Sequence, residues 1–135
     1  RLNWSPDIIH IHGWMSALLP IYLKENFKNE PIFQKSKIVT SLYGNEFEKS
    51  LNNDMINKVL FDEIDKKSIS DLNDPTYENL TRIAVNYSDG IILGSENISP
   101  KTIKYLKDYK NPILNFQPKD SFSESYLEFY NNLFD

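Results

Sequence analysis

The sequence predicts an α/β fold: a Rossmann-like parallel sheet of about four strands flanked by helices. Short, β-branched apolar runs occur at residues 7–11, 36–43, 89–94 and 112–116. Between them lie stretches with apolar residues at helical spacing, so each pair of strands is joined by a crossover, which is right-handed in a parallel sheet. The first three runs also stop at turn chemistry: His12-Gly13, Gly44-Asn45 and Gly94-Ser95.

Taken in order, Ser5-Pro6 is a turn signal, because proline pushes the residue before it out of the helical region. The strand over 7–11 ends at His12-Gly13, and a helix is expected over 14–27, with Leu18, Leu19, Ile21, Tyr22 and Leu23 at helical spacing. Residues 26–35 are polar, contain Pro31 and read as a loop. After the strand over 36–43, Asn53 or Asp54 is expected to cap a short helix through Ile64, with Met55, Val59, Leu60 and Ile64 on one face. Residues 65–74 are charged and irregular.

Asp74-Pro75 suits a helix start, a capping acid followed by proline, and Tyr77, Leu80, Ile83, Ala84 and Tyr87 form the stripe to be buried. Beyond the strand over 89–94, Ser95-Glu96-Asn97 form its exit loop. Ser99-Pro100 opens another helix in the same way, with Ile103, Leu106 and Tyr105 directed inward. Ser121-Phe-Ser-Glu124 fits a capping box, and the helix it starts carries Tyr126, Phe129, Tyr130, Leu133 and Phe134. That aromatic stripe is expected to cover the sheet.

With 135 residues the chain is read as one partial domain, 1–135, able to bury roughly two thirds of its unfolded surface. It has no cysteine and no apolar run near the length of a membrane span, which predicts a soluble, cytoplasmic protein without a membrane partner. A net charge of −4 and the lack of a lysine-arginine stripe argue against a nucleic-acid partner. The sequons at Asn79 and Asn97 are read as chance, since nothing resembles a signal peptide. Because the chain starts at Arg1 within what reads as an existing motif, it is expected to be a fragment. The first strand is then an exposed apolar edge, and pairing with a second copy through that edge is an expected partnership.

The chemistry concentrates at one corner. His-Gly-Trp at 12–14 sits at the carboxyl end of a strand, where ligands usually meet open α/β sheets. The run Pro-Asp-Ile-Ile-His-Ile-His-Gly-Trp-Met-Ser-Ala-Leu-Leu-Pro-Ile-Tyr-Leu-Lys from Pro6 resembles the segment W-x-P-D-h-h-H-x-H-D-W-x-x-x-L-h-P-x-Y-L-K of bacterial glycogen and starch synthases. Residues 35–43, 87–95 and the aromatic tail resemble the short Bacteroidetes-type members of that family. The resemblance implies the second half of the N-terminal domain of a GT-B-type glycosyltransferase. It also implies a parent reaction in which glucose passes from a nucleotide sugar to an α-1,4-glucan with retention and without a metal or other cofactor. Nucleotide-glucose and α-glucan are thus the parent's expected partners, and His12, Gly13, Trp14, Tyr43 and Asn45 the expected substrate-contacting residues.

Each of these has a plainer use. His10 and His12, two apart on a strand, face one side, but with no third histidine and no cysteine a zinc site is not expected. His10 reads as a hydrogen-bonded core histidine, while His12 suits either a sugar contact or a structural role. Trp14 can pack under the following helix or face a sugar ring; Asn45 can serve the turn alone. Two departures from the family bear on catalysis. Gly13 stands where the synthases carry aspartate, and the histidine-asparagine pair they place after the second strand has no counterpart near Tyr43. No catalytic residue is therefore assigned. Ser95 lacks the surroundings of a nucleophile elbow, no phosphate-binding glycine loop is present, and Asp62, Glu63 and Asp65 read as a solvated cluster. A degenerate, non-catalytic module that binds glucan or a protein is the alternative.

Overall fold

The computed structural model describes residues 4–60 and 64–135. Four strands, β1 (Ile8–His12), β2 (Lys37–Leu42), β3 (Gly90–Leu93) and β4 (Ile113–Leu114), form one sheet in the order β1-β2-β3-β4. Every pairing is parallel, as the alternation of strand and helix predicts. The registers place His12 opposite Ser41 and Val39 opposite Gly90. β1 lies at one edge of the described sheet and the two-residue β4 at the other.

The period of two along each strand then sorts the side chains. Ile9, Ile11 and Ile38 meet Leu23 and Phe33 on one face, and Leu42 and Ile91 meet Val85 and Leu106 there. On the opposite face Ile8, Val39, Ile92 and Leu114 pack against Phe129, Tyr126, Tyr130 and Leu133. The last group belongs to or adjoins the helix α5 (Phe122–Asn131), so the aromatic tail covers the sheet as expected. Of the expected stripe only Phe134 remains exposed, as do Phe122 and Leu127 outside it.

The helices differ from expectation in instructive ways. In place of one helix over 14–27 there is a 3-10 turn (Trp14–Ser16), a single α turn, α1 (Leu19–Ile21), and a π turn (Tyr22–Asn26). Pro20 is the cause: it has no N–H to offer the carbonyl four residues back, and it stands at the start of α1. The helix α2 spans only Met55–Val59, and Asp54 uses its carboxylate on the Asn57 amide rather than on a backbone N–H. Asp62 and Glu63 lie outside the described residues. Within the charged stretch 65–74, a 3-10 turn (Ser70–Asn73) buries Leu72 beside the equally buried Ile69.

The helix α3 (Tyr77–Asn86) buries Tyr77, Leu80, Ile83 and Ala84 as its spacing predicts, with Tyr87 half-buried after it. Its cap is Thr76, whose hydroxyl accepts from the Asn79 N–H at 3.1 Å, not Asp74. Asp74 instead accepts from the Ser50 hydroxyl at 2.7 Å. Ser99 does cap α4 (Pro100–Leu106), accepting from the Thr102 N–H, with Pro100 in the first turn. Leu106 is buried, but Ile103 is 37% exposed and faces outward. Ser121 precedes α5 without capping it; its hydroxyl donates to the Pro118 carbonyl.

The amino ends of the strands are tied by one carboxylate. Asp89 Oδ2 accepts from the Ile38 N–H at 2.7 Å and from Lys24 Nζ at 2.8 Å, joining the π turn to β2 and β3. This leaves the carboxyl ends free of that bracing. Thr76→Ala is expected to lower the unfolding free energy by about 1 kcal/mol, and Thr76→Ser by much less, as read by urea denaturation. Equal effects from both would place the cap elsewhere.

Candidate functional site

A cleft of about 290 Å³ opens at the carboxyl ends of β1 and β2, lined by His12, Gly13, Trp14, Met15, Tyr43 and Asn45. All five residues expected to contact substrate thus come together, although the two groups lie far apart in sequence. The volume is at the small end of the range for ligand pockets, about 300–1,000 Å³. A larger groove of about 560 Å³ lies between α3 and α4. Within it Lys101 pairs with Glu78 at 2.9 Å, and the Arg82 guanidinium lies over the Tyr105 ring at 5.3 Å.

The corner is built by backbone bonds first. The Gly13 N–H donates to the Ser41 carbonyl at 3.0 Å, extending the β1–β2 ladder one residue past the strand. Gly13 has φ +71° and ψ 177°, a region that essentially only glycine occupies. A Cβ there would meet nothing closer than Tyr43 at 3.9 Å, so the constraint is the backbone and not the space. An aspartate in this conformation would cost about 1–3 kcal/mol in strain. Gly13 thus offers the corner a backbone conformation suited to glycine and no carboxylate. The Ser16 hydroxyl closes the turn, 2.8 Å from the His12 carbonyl.

Tyr43 is held from three directions. Its hydroxyl lies 2.8 Å from His12 Nδ1, and its carbonyl accepts from the Tyr77 hydroxyl at 2.9 Å. Its ring lies across Gly94, where a Cβ would sit 2.5 Å from Tyr43 Cε1. The neighbouring Gly44 N–H donates to the Ser95 hydroxyl at 2.8 Å, lacing the exits of β2 and β3 together. Trp14 meets Phe47 edge-on at 4.8 Å, and Phe47 meets Tyr77 at 5.7 Å, so the tryptophan both packs and lines the cleft. Asn45 is exposed at the same cleft, and Met15 is 84% exposed.

His10 is the hydrogen-bonded core histidine the sequence predicts. Its Nδ1 lies 2.6 Å from the Tyr130 hydroxyl and its Nε2 2.7 Å from the Ser41 hydroxyl. Burial, and then the neighbouring His12, lower its pKa to about 4, so the ring is neutral in the folded protein. The His10 and His12 rings lie against each other, tilted by 31°, with centroids 4.0 Å apart. Tyr77, Gly94, Ser41 and Ser95 were not singled out for the site from the sequence. Gly94 and Ser95 carried a signal as turn chemistry at a strand's carboxyl end, whereas Ser41 meets His10 only through the β1–β2 register. Among the described residues no group of three or more histidines, cysteines and carboxylates is placed to hold a metal ion.

These features sit in a recognisable chain. The family model of the starch synthase catalytic domain matches residues 1–106. The chain belongs to that family. It is 26% identical over 112 residues to the glycogen synthase of Clostridium perfringens, covering 83% of this chain and 22% of that protein. Against the glycogen synthase of Photobacterium profundum it is 26% identical over 106 residues, covering 78% of this chain and 21% of the other. A shorter stretch of 44 residues is 39% identical to the glycogen synthase of Chlorobium luteolum, covering 33% of this chain and 9% of that one. The chain spans about a fifth of the length of the first two of these curated relatives. Its four-stranded parallel sheet with flanking helices accords with half of a GT-B-type domain. β4 and α5 follow the stretch that the family model matches.

Two outcomes test the site's construction. As pH falls from about 6.5 toward 4, the unfolded chain gains a proton on His10 that the folded chain refuses, so stability is lost across that window. His10→Gln is expected to remove this part of the acid loss in melts compared at pH 7 and pH 5; an unchanged slope would show that His10 does not contribute. Gly94→Ala is expected to displace the Tyr43 ring and break its bond to His12, visible as a shift of the His12 imidazole resonances. Retention of those resonances would mean that Tyr43 does not depend on Gly94.

Proposed function

We propose that this chain is the sugar-contacting half of the N-terminal domain of a glycogen or starch synthase-type glycosyltransferase. In the parent protein glucose would pass from a nucleotide sugar to an α-1,4-glucan. One observation carries this: His12, Gly13, Trp14, Tyr43 and Asn45 line one cleft at the strand ends of a chain of that family. A glucose ring presents hydroxyls that both donate and accept. The His12 imidazole, Tyr43 hydroxyl and Asn45 amide match that chemistry, and the Trp14 ring adds an apolar surface.

The same cleft argues against turnover by this polypeptide alone. Among the described residues no carboxylate lines it, and no imidazole other than His12 does. The 135 residues contain neither a lysine-glycine-glycine loop nor another phosphate-cradling glycine motif. Transfer needs donor phosphates, acceptor and charge-stabilising groups held to within about half an ångström, which one such cleft does not supply. A non-catalytic glucan- or protein-binding module is the second reading, favoured by the glycine-only backbone at Gly13.

The chain is expected to incorporate no radiolabelled glucose into glycogen from either ADP-glucose or UDP-glucose; measurable incorporation would refute that. Its migration in native gels containing glycogen or maltodextrin is expected to be retarded, and less so for His12→Ala and Tyr43→Phe. Unretarded migration of the unmodified chain would remove the sugar site.

A further inference from the structure

α5 reaches the cleft through a hydroxyl–imidazole chain. Tyr126 and Tyr130 each lie with their ring centroids 5.8 Å from that of His10. Only Tyr130 places its hydroxyl on the imidazole, at 2.6 Å from Nδ1, while Ser41 holds Nε2 from the other side. A neutral imidazole has one N–H, so one of these hydroxyls accepts and the other donates. Gripped at both nitrogens, the His10 ring cannot rotate without breaking a short bond. Its face lies against His12, 4.0 Å between centroids and tilted by 31°. His12 in turn gives Nδ1 to Tyr43, which leaves Nε2 for a ligand in the cleft.

The Tyr130 hydroxyl is not needed to fill space. The ring packs with Phe129 and Leu133 on Val39 and Ile92, which a phenylalanine would do equally well. α5 also follows the stretch matched by the family model, so this support comes from a part of the chain outside that match. We propose that Tyr130 is a positioning residue for the cleft: its hydroxyl fixes the His10 ring, and that ring sets the angle at which His12 meets Tyr43 and offers its second nitrogen to a sugar hydroxyl. The sugar-contacting role of His12 is the one proposed above, and the positioning of its ring can be tested apart from it.

The chain has two histidines, so long-range imidazole ¹H–¹⁵N spectra contain two spin systems. In Tyr130→Phe both sets of resonances are expected to move, and affinity for maltoheptaose to fall about threefold to tenfold, the loss set by one neutral hydrogen bond. Tyr109→Phe, which removes a hydroxyl bonded to the Ser88 carbonyl, is the control and is expected to leave His12 in place. His12 resonances unmoved in a folded Tyr130→Phe chain would overturn the proposal. Should that variant not fold, His10→Gln removes the ring through which Tyr130 is proposed to act; His12 unmoved there would overturn it equally. If His12 moves but even the unmodified chain binds no maltoheptaose, the positioning role stands and the sugar-contacting role of His12 fails.

Discussion

The parallel pairing of β1 with β2, carried one residue further by the Gly13 N–H on the Ser41 carbonyl, is the constraint on which the site depends. It fixes which residues of two strands, separated by a loop and three short turns, stand side by side. A slip of one residue would turn His10 and His12 to the opposite face, among Leu23 and Phe33, away from the Ser41 and Tyr130 hydroxyls that hold His10. The apolar load on both faces makes such a slip costly. Ile11 and Ile38 must meet one layer of the fold and Val39 the other. Register, and with it the His12–Tyr43 contact, is thus set by burial well away from the cleft.

The two histidines show how one strand serves two environments. His10 sits within the layer between sheet and α5, where an imidazole is tolerable only because two hydroxyls meet its nitrogens and because it stays uncharged. His12, two residues on, has left the covered region, and among the described residues its ring has one hydrogen-bond partner, the Tyr43 hydroxyl. The difference is one of position along the strand: α5 covers the sheet beneath His10, whereas the strand end at His12 projects beyond it.

Membership in the starch synthase catalytic domain family and the departure at Gly13 are compatible once the backbone is considered. The corner stands at the strand end, closed by the Ser16 hydroxyl and backed by the packed Trp14. What it lacks is an acidic side chain, and its dihedral angles are ones that a side chain would strain. Such a corner can present backbone and imidazole to a ligand. It does not supply a negative charge.

Strands were legible in the sequence because β-branched runs ending in glycine, asparagine or serine leave few other options, and the parallel order followed from the helices between them. The stripe of α3 was legible for the same reason of period, and so was the clustering of the His12 and Tyr43 corners, since both stand at carboxyl ends of adjacent parallel strands. The broken helix after Trp14 was less so: apolar spacing outweighed Pro20 in the reading, whereas in the chain the missing N–H prevails. Caps at Asp74 and Ser121 failed because several residues competed for each helix start, and only packing selected Thr76 in the one case and no side chain in the other. The amino-acid sequence by itself determined the fold class, the family and the corner where chemistry is offered. Tertiary structure alone decided that Tyr43 lies flat on Gly94, that Asp89 braces the far end of the sheet, and that Tyr130 grips His10. Those contacts join residues 51 to 120 positions apart, and no local periodicity encodes a meeting that arises only when layers close on one another.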